Sequence, residues 1–180
     1  KRILVVGGGI SGMTAALESA KTGYDVLLVE KTGSLGGWAA KLHKRVPYRE
    51  PYAEPADTGI ADLIKQIESD KHIKVFLNST LSKTSGSPGQ FSVDISTESG
   101  STATENIGGI IMASGFTPYD MNKLPYLGAG KSKDVVDQLG LEALAKAAKG
   151  GAIKRPSDGK EVKSVVFVQC AGQRSDKEGE

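Results

Sequence analysis

Four glycine-centred or acidic positions in this chain are spaced to do chemistry together. The first is Gly7-Gly8-Gly9-Ile10-Ser11-Gly12, a G-x-G-x-x-G run. Gly7 permits a tight turn from strand to helix, Gly9 lets a pyrophosphate approach the backbone, and Gly12 lets the helix pack close to the strand. The free N–H groups and positive dipole end of that helix then face an anion. The second is Glu30, at the end of the next apolar run. A carboxylate there accepts hydrogen bonds from ribose hydroxyls and repels a 2′-phosphate. The third is Gly36-Gly37, whose backbone N–H groups can turn toward a second phosphate or a polyol chain. The fourth is Ala113-Ser114-Gly115, small residues that admit a ligand close to the backbone. Each has a plainer reading beside it: a turn that only packs a helix, a solvated carboxylate, a flexible loop, an ordinary strand end.

The remaining candidates point away from acid–base or nucleophilic chemistry. His43 could relay a proton, but with Lys41, Lys44 and Arg45 around it a solvated loop histidine is the better reading. The basic cluster Lys41, Lys44, Arg45 could meet an acidic partner or a phosphate; a solvated helix face is the simpler expectation. Trp38 could stack on a planar ligand or cap the core. Cys170 has no visible activating base, so a buried structural thiol at a strand end is expected. No Ser-His-Asp order and no pair of carboxylates stands out, and no catalytic acid or base is nominated.

The elements that must position these residues follow from apolar spacing. Ile3 to Val6 is a continuous apolar run, the mark of a strand buried on both faces. Met13, Ala16, Leu17 and Ala20 form one helical stripe within Ser11 to Thr22, stopped by Gly23. Tyr24 to Glu30 is a second apolar strand, so the chain opens with a β-α-β unit, right-handed by rule. Lys31 to Asp57 is loop, with a short helix over Trp38 to Lys44. Gly59 to Ser69 is helical, with Ile60, Leu63, Ile64 and Ile67 on one face, and Ile73 to Leu77 is a third strand. The period then changes to two: 81–84, 91–96 and 101–106 alternate between turn signals and predict an antiparallel meander, inserted at about 78–106. Ile107 to Ala113 reads as a fourth buried strand, Asp134 to Lys149 as a helix, Ser157-Asp158-Gly159 as a hairpin turn, and Val165 to Gln169 as a final strand. The expected architecture is a three-layer Rossmann-like α/β domain over 1–133, followed by a helix and the start of a second, truncated dinucleotide-binding-like domain over 134–180.

Composition narrows the classes. The chain has 180 residues, a net charge of +2, 38% hydrophobic and 24% charged residues. That is enough apolar material for a core and no basic excess of the kind nucleic-acid binders carry. The 23 glycines are clustered rather than periodic, which excludes a collagen-like chain. One cysteine excludes an internal disulfide, a Cys-x-x-Cys pair and an all-cysteine iron–sulfur cluster within the chain, and two histidines beside it make a zinc site a poor fit. No apolar run reaches the ~18 residues needed to span a bilayer, and the chain opens directly on a strand, so a soluble cytoplasmic protein with no direct membrane insertion is expected. The first residue is Lys1, and Ser175 to Glu180 end in charge; both ends read as cut, as in a piece of a longer protein.

The order G-x-G-x-x-G, Glu, Gly-Gly, meander, apolar strand with Ala-Ser-Gly resembles the FAD-binding domain of the two-dinucleotide-binding-domain flavoproteins. Two stretches narrow the resemblance: Gly36-Gly37-Trp38-Ala39-Ala40-Lys41-Leu42-His43-Lys44 and Val168-Gln169-Cys170-Ala171-Gly172-Gln173-Arg174-Ser175-Asp176. They are similar to the heterodisulfide reductase A subunit and, closer still, to the A subunit of the quinone-interacting membrane-bound oxidoreductase complex. The resemblance implies an FAD-binding electron-transfer subunit. Its partners would be other subunits of a redox complex, membrane-bound ones among them, and its iron–sulfur clusters would lie only in absent regions or partner subunits. It places Gly7, Gly9, Ile10, Ser11 and Gly12 at the phosphates, and Glu30 with Lys31 at the ribose. Gly36, Gly37 and Trp38 then lie toward the pyrophosphate and flavin, Thr80 and Leu81 at adenine through their backbone, and Ala113, Ser114 and Gly115 close the site. The chain departs from the pattern in having no Gly-Asp dipeptide, which in such flavoproteins holds the ribityl chain. It also lacks the cysteine cluster after Gln-Cys-Ala-Gly and the cysteine-rich insert after Gly-Gly. Two alternatives stay open: a non-catalytic nucleotide-binding scaffold, and an NAD-dependent dehydrogenase domain.

Overall fold

A computed structural model of the protein describes residues 2–172. The apolar run at the start of the chain forms β1 (Arg2–Val6), followed by α1 (Ile10–Lys21) and β2 (Asp25–Val29). After a long loop come α2 (Ile60–Ser69) and β3 (Ile73–Phe76), then β4 (Ser79–Ser87), β5 (Gln90–Thr97) and β6 (Thr102–Ile107). The last strand is β7 (Gly109–Met112) and the last helix α3 (Gln138–Ala148). Strands β3-β2-β1-β7 form one sheet, parallel throughout, and β4-β5-β6 form a separate antiparallel sheet.

Alternation along the central strands sorts the core into two halves. Val5, Val26 and Leu28 point to one face, where they pack with Met13, Ala16, Leu17 and Ala20 of α1 and Ile60 and Ile67 of α2. Leu4, Leu27 and Val29 point to the other, where they meet Val93, Ile95 and Ile107 of the meander. The result is three layers, helices against parallel sheet against meander, because a parallel sheet must be covered on both faces. The change of period in the sequence therefore marks the third layer. It covers the face that a doubly wound fold would cover with helices.

Three expectations need correction. The apolar run 107–113 is not one buried strand: Ile107 ends β6, Gly108 makes the crossing, and only 109–112 joins the parallel sheet. Among the described residues β7 is an edge strand, so Met112 is 64% exposed. Val165 to Gln169 forms no strand; no parallel edge receives it, and Val166 is 87% exposed. The third helix is shorter than 134–149 because Asp137 caps its start. The Asp137 carboxylate accepts the Gly140 N–H at 2.7 Å. The hairpin turn at 157–159 is present, closed by a bridge between Lys154 and Glu161. Residues 173–176 of the second family-like stretch lie outside the described residues.

Candidate nucleotide-binding site

The C-terminal edge of the parallel sheet gathers the predicted residues. The ladder runs out there through Gly7 N–H to Val29 O (2.8 Å), Glu30 N–H to Phe76 O (2.8 Å) and Ala113 N–H to Val6 O (2.8 Å). In open α/β sheets this edge is where ligands bind.

The glycines of the first loop divide the work. Gly7 has φ +111°, and a Cβ there would run into the Ala113 carbonyl. A Cβ on Gly12 would strike the Gly7 carbonyl, so Gly12 sets the close approach of α1. Gly9 has open space where a Cβ would stand. It is the N-cap of α1 and offers no side-chain cap, and no acidic residue sits in the first turn. The first N–H groups of the helix therefore have no side-chain acceptor of their own, the form of an anion site. Ile10 and Ser11, the first two helical residues, are both exposed there.

Glu30 is buried, only 7% exposed, and is held by three donors. Gly8 N–H donates to Oε2 at 2.6 Å, and the Thr32 N–H and hydroxyl both donate to Oε1 at 2.8 Å. A carboxylate has about four lone-pair sites, so one remains for a ribose hydroxyl. Lys31, next in the chain, is exposed. The start of β4 is stitched to the same turn: Ser79 N–H donates to Glu30 O at 2.9 Å and Asn78 N–H to Thr32 O at 3.0 Å. This brings Thr80, exposed, and Leu81, half-buried against the meander core, beside the Glu30 turn.

The second glycine pair crosses the first. Gly36 N–H donates to Gly8 O at 2.8 Å, and Gly9 and Gly36 form a parallel bridge. Both Gly36 (φ +108°) and Gly37 (φ +52°) adopt left-handed backbone, and a Cβ on Gly37 would stand 3.1 Å from Gly9 Cα. The expected short helix is a 3-10 turn over Gly37–Lys41. Ala113 is half-buried at the end of β7, and Ser114 and Gly115 are exposed beyond it. Trp38 bridges the two loops. Its Nε1–H donates to Phe116 O at 3.0 Å, its ring stacks on Phe116 at 5.9 Å, and Lys41 Nζ lies 4.2 Å from its centroid.

Other residues fall elsewhere. Arg45 is not on a solvated helix face. It is half-buried, its guanidinium lies 3.9 Å from the Tyr48 ring centroid, and its Nε–H donates to Asp57 O at 2.8 Å. His43 is half-buried, its backbone N–H donating to Glu142. Cys170 is exposed rather than buried, because the strand expected to shelter it does not form. A cavity of about 220 Å³ beside Lys44, Arg45 and Tyr52 lies outside the glycine edge. No group of three or more potential metal ligands occurs among the described residues, and no described helix is long and apolar enough to cross a membrane.

Sequence reasoning missed Gly8, Thr32 and Phe116. Gly8 stood in a variable slot of the motif, yet a Cβ there would lie 3.0 Å from the Glu30 carboxylate and closer to Leu35. Thr32, two residues after Glu30, has the spacing of a side-chain turn and was open to that reading. Nothing in the sequence marks Phe116.

Comparison with known proteins agrees with this geometry. The family described as NAD(P)-binding Rossmann-like domain matches residues 5–79. The chain is similar to the A subunit of heterodisulfide reductase. The CoB–CoM heterodisulfide reductase iron-sulfur A subunit (second form) of Methanopyrus kandleri is 27% identical over 253 aligned positions, covering 96% of this chain and 38% of that protein. A heterodisulfide reductase A-subunit-like protein from Archaeoglobus profundus is 35% identical over 95 residues, 53% of this chain and 13% of that one. The chain thus spans well under half of these relatives. The alignment of 253 positions exceeds the 180 residues of the chain, so the Methanopyrus relative carries internal segments that this chain lacks. Among solved structures, thioredoxin reductase from T. acidophilum superposes with a TM-score of 0.51 at 19% identity, over 66% of this chain and 36% of that one. L-proline dehydrogenase from P. horikoshii gives 0.51 at 20% identity, over 64% and 23%. These show the fold: a Rossmann-like α/β domain.

Proposed function

We propose that this chain is the FAD-binding portion of an electron-transfer oxidoreductase subunit. The observation that carries the reading is the uncapped N-terminus of α1 at an open Gly9, crossed by Gly36-Gly37 and flanked by the buried Glu30. Gly7, Gly9, Ile10, Ser11 and Gly12 hold the phosphates, Glu30 and Lys31 the adenosine ribose, and Thr80 and Leu81 the adenine edge. Gly36, Gly37 and Trp38 reach toward the flavin side, and Ala113, Ser114 and Gly115 close the site behind them. The glycines fit this role because a Cβ at Gly9, which would meet no protein atom, would fill the cradle itself. Bound flavin supplies the electron transfer; the protein binds, orients and sets the field around it. Other subunits of a redox complex, iron–sulfur or quinone-linked, are the exchange partners.

A second reading, an NAD domain, shares the loop and the acid. The antiparallel third layer favours FAD over it, since a plain NAD-binding half continues with further β-α units. The test is an absorption spectrum of the chain after incubation with FAD and removal of free flavin. Retained bands near ~450 nm that bleach with a reductant support a working flavin site. A colourless chain that is stabilised against heat by NAD and not by FAD overturns the proposal in favour of the second reading.

A further inference from the structure

The far side of the Gly36-Gly37 loop is held by α3, an element that carries none of the motif residues. The 3-10 turn Gly37–Lys41 ends where Leu42 becomes extended, which leaves backbone groups at its end in need of partners. Two side chains one turn apart on α3 supply them. Lys146 Nζ donates to Ala40 O at 2.7 Å, and the His43 N–H donates to Glu142 Oε2 at 2.6 Å. Gln138 Nε2–H in turn donates to Glu142 Oε1 at 3.0 Å and orients the carboxylate.

The held residues lead directly to the phosphate cradle. Ala40 packs on Gly36 so closely that a Cβ on Gly36 would stand 2.8 Å from the Ala40 Cβ. Gly36 N–H donates to Gly8 O, and Gly37 lies against Gly9. A contiguous path therefore runs from Lys146 through Ala40 and Gly36 to Gly8 and Gly9. We infer that Glu142 and Lys146 are positioning residues, a latch on α3 that holds the second glycine loop against the first. A nucleotide diphosphate then meets both loops already in place, and the ordering cost is met before binding. The latch presupposes the nucleotide-binding reading given above. It also makes α3 functional, because the segment after the sheet sets the tightness of the cofactor loop.

The test compares ADP, which extends to a second phosphate, with AMP, on the whole chain. Titration calorimetry of wild type, Glu142→Ala and Lys146→Met is the measurement. Each substitution removes one charged hydrogen bond, so ADP affinity is expected to fall about fivefold to tenfold, while AMP affinity changes less than about twofold. Glu142→Gln keeps an acceptor for His43 N–H and Lys146→Arg keeps a donor for Ala40 O, so both restore most of the ADP affinity. Amide exchange at His43 in the ligand-free chain is expected to quicken in Glu142→Ala and not in Glu142→Gln. Equal losses for AMP and ADP, or unchanged ADP affinity with unchanged His43 exchange, overturn the latch. A wild-type chain that binds neither nucleotide overturns the nucleotide reading itself, and the latch with it.

Discussion

Replacing Glu30 by glutamine tests the centre of the site without any ligand. Three donors converge on this buried carboxylate: Gly8 N–H at 2.6 Å and the Thr32 N–H and hydroxyl at 2.8 Å. An amide offers one oxygen and an NH2 group. If the oxygen serves Thr32, the NH2 faces the Gly8 N–H, donor against donor. If the amide flips, two Thr32 donors lose their acceptor. Either way at least one buried charge-assisted bond is lost, worth about 1.5–3 kcal/mol, and the others are weakened by loss of the charge. The expected destabilisation is about 2–4 kcal/mol, a large share of the roughly 5–15 kcal/mol that a domain possesses. In urea unfolding this lowers the midpoint by about 1–2 M at an unchanged slope. Thr32→Val removes only the hydroxyl and is expected to cost about 1 kcal/mol. The double variant is expected to cost less than the sum, because Glu30→Gln weakens or breaks the same Thr32 hydroxyl bond that Thr32→Val removes. A Glu30→Gln chain within about 0.5 kcal/mol of wild type, or strict additivity with Thr32→Val, would refute the view that Glu30 organises the turn.

The glycines of the first loop should separate folding from binding. Gly9 has an ordinary φ of -76° and open space at its Cβ position. Gly9→Ala should therefore melt within about 2 °C of wild type while losing nucleotide binding. Gly7 stands at φ +111° with its Cβ position against the Ala113 carbonyl. Gly7→Ala should accordingly destabilise by about 2–4 kcal/mol in thermal or urea unfolding. Asp134 should show an acid-labile contribution. Its carboxylate accepts the Ser157 hydroxyl at 2.6 Å and the Ser157 N–H at 2.9 Å, and these bonds hold its pKa below the ordinary aspartate value. A lowered folded pKa means the stabilisation is complete above the unfolded value and is lost as pH falls through the folded one. NMR titration of Asp134 should therefore move upward in Ser157→Ala, and an unmoved titration would sink the assignment. Cys170 is exposed, and it should react with a thiol reagent in the native chain as fast as it does in urea.

Where local pattern and tertiary demand coincided, the sequence was legible. The β-α-β opening, α2 and the meander each carry a period that only one element satisfies, and the parallel sheet needed two covered faces. Glu30 and the glycine loops were legible for the same reason: their residue types answer backbone geometry, a tight turn or a close approach, that a string of letters encodes directly. The failures share the opposite property. Val165 to Gln169 is apolar enough to be a strand, but a strand is a relation to a neighbour, and this run pairs with neither edge of the described sheet. The 107–113 run looked uniform because hydrophobicity does not reveal where a chain leaves one sheet for another. Trp38 and Glu142 act on residues distant in sequence, and no spacing announces such contacts.

The arrangement of the site follows from this difference. Gly7 and Gly12 are required by the protein's own packing, so they would be glycine in a domain that bound nothing. Gly9 is different: the fold does not need it, since a Cβ there would touch no protein atom. A residue that stability leaves free, in a loop whose other glycines are all constrained, is best explained by something outside the chain that must come close. The crossing Gly36-Gly37 loop narrows that something to a group small and anionic enough to lie between two sets of backbone N–H groups. The buried Glu30 beside it, with an acceptor position left over, adds a hydroxyl-bearing unit one strand away. Phosphate next to diol, at the edge of a parallel sheet, is the outline of the nucleotide diphosphate proposed above. The proposed choice of FAD over NAD as its bearer rests on the meander that closes the sheet's other face.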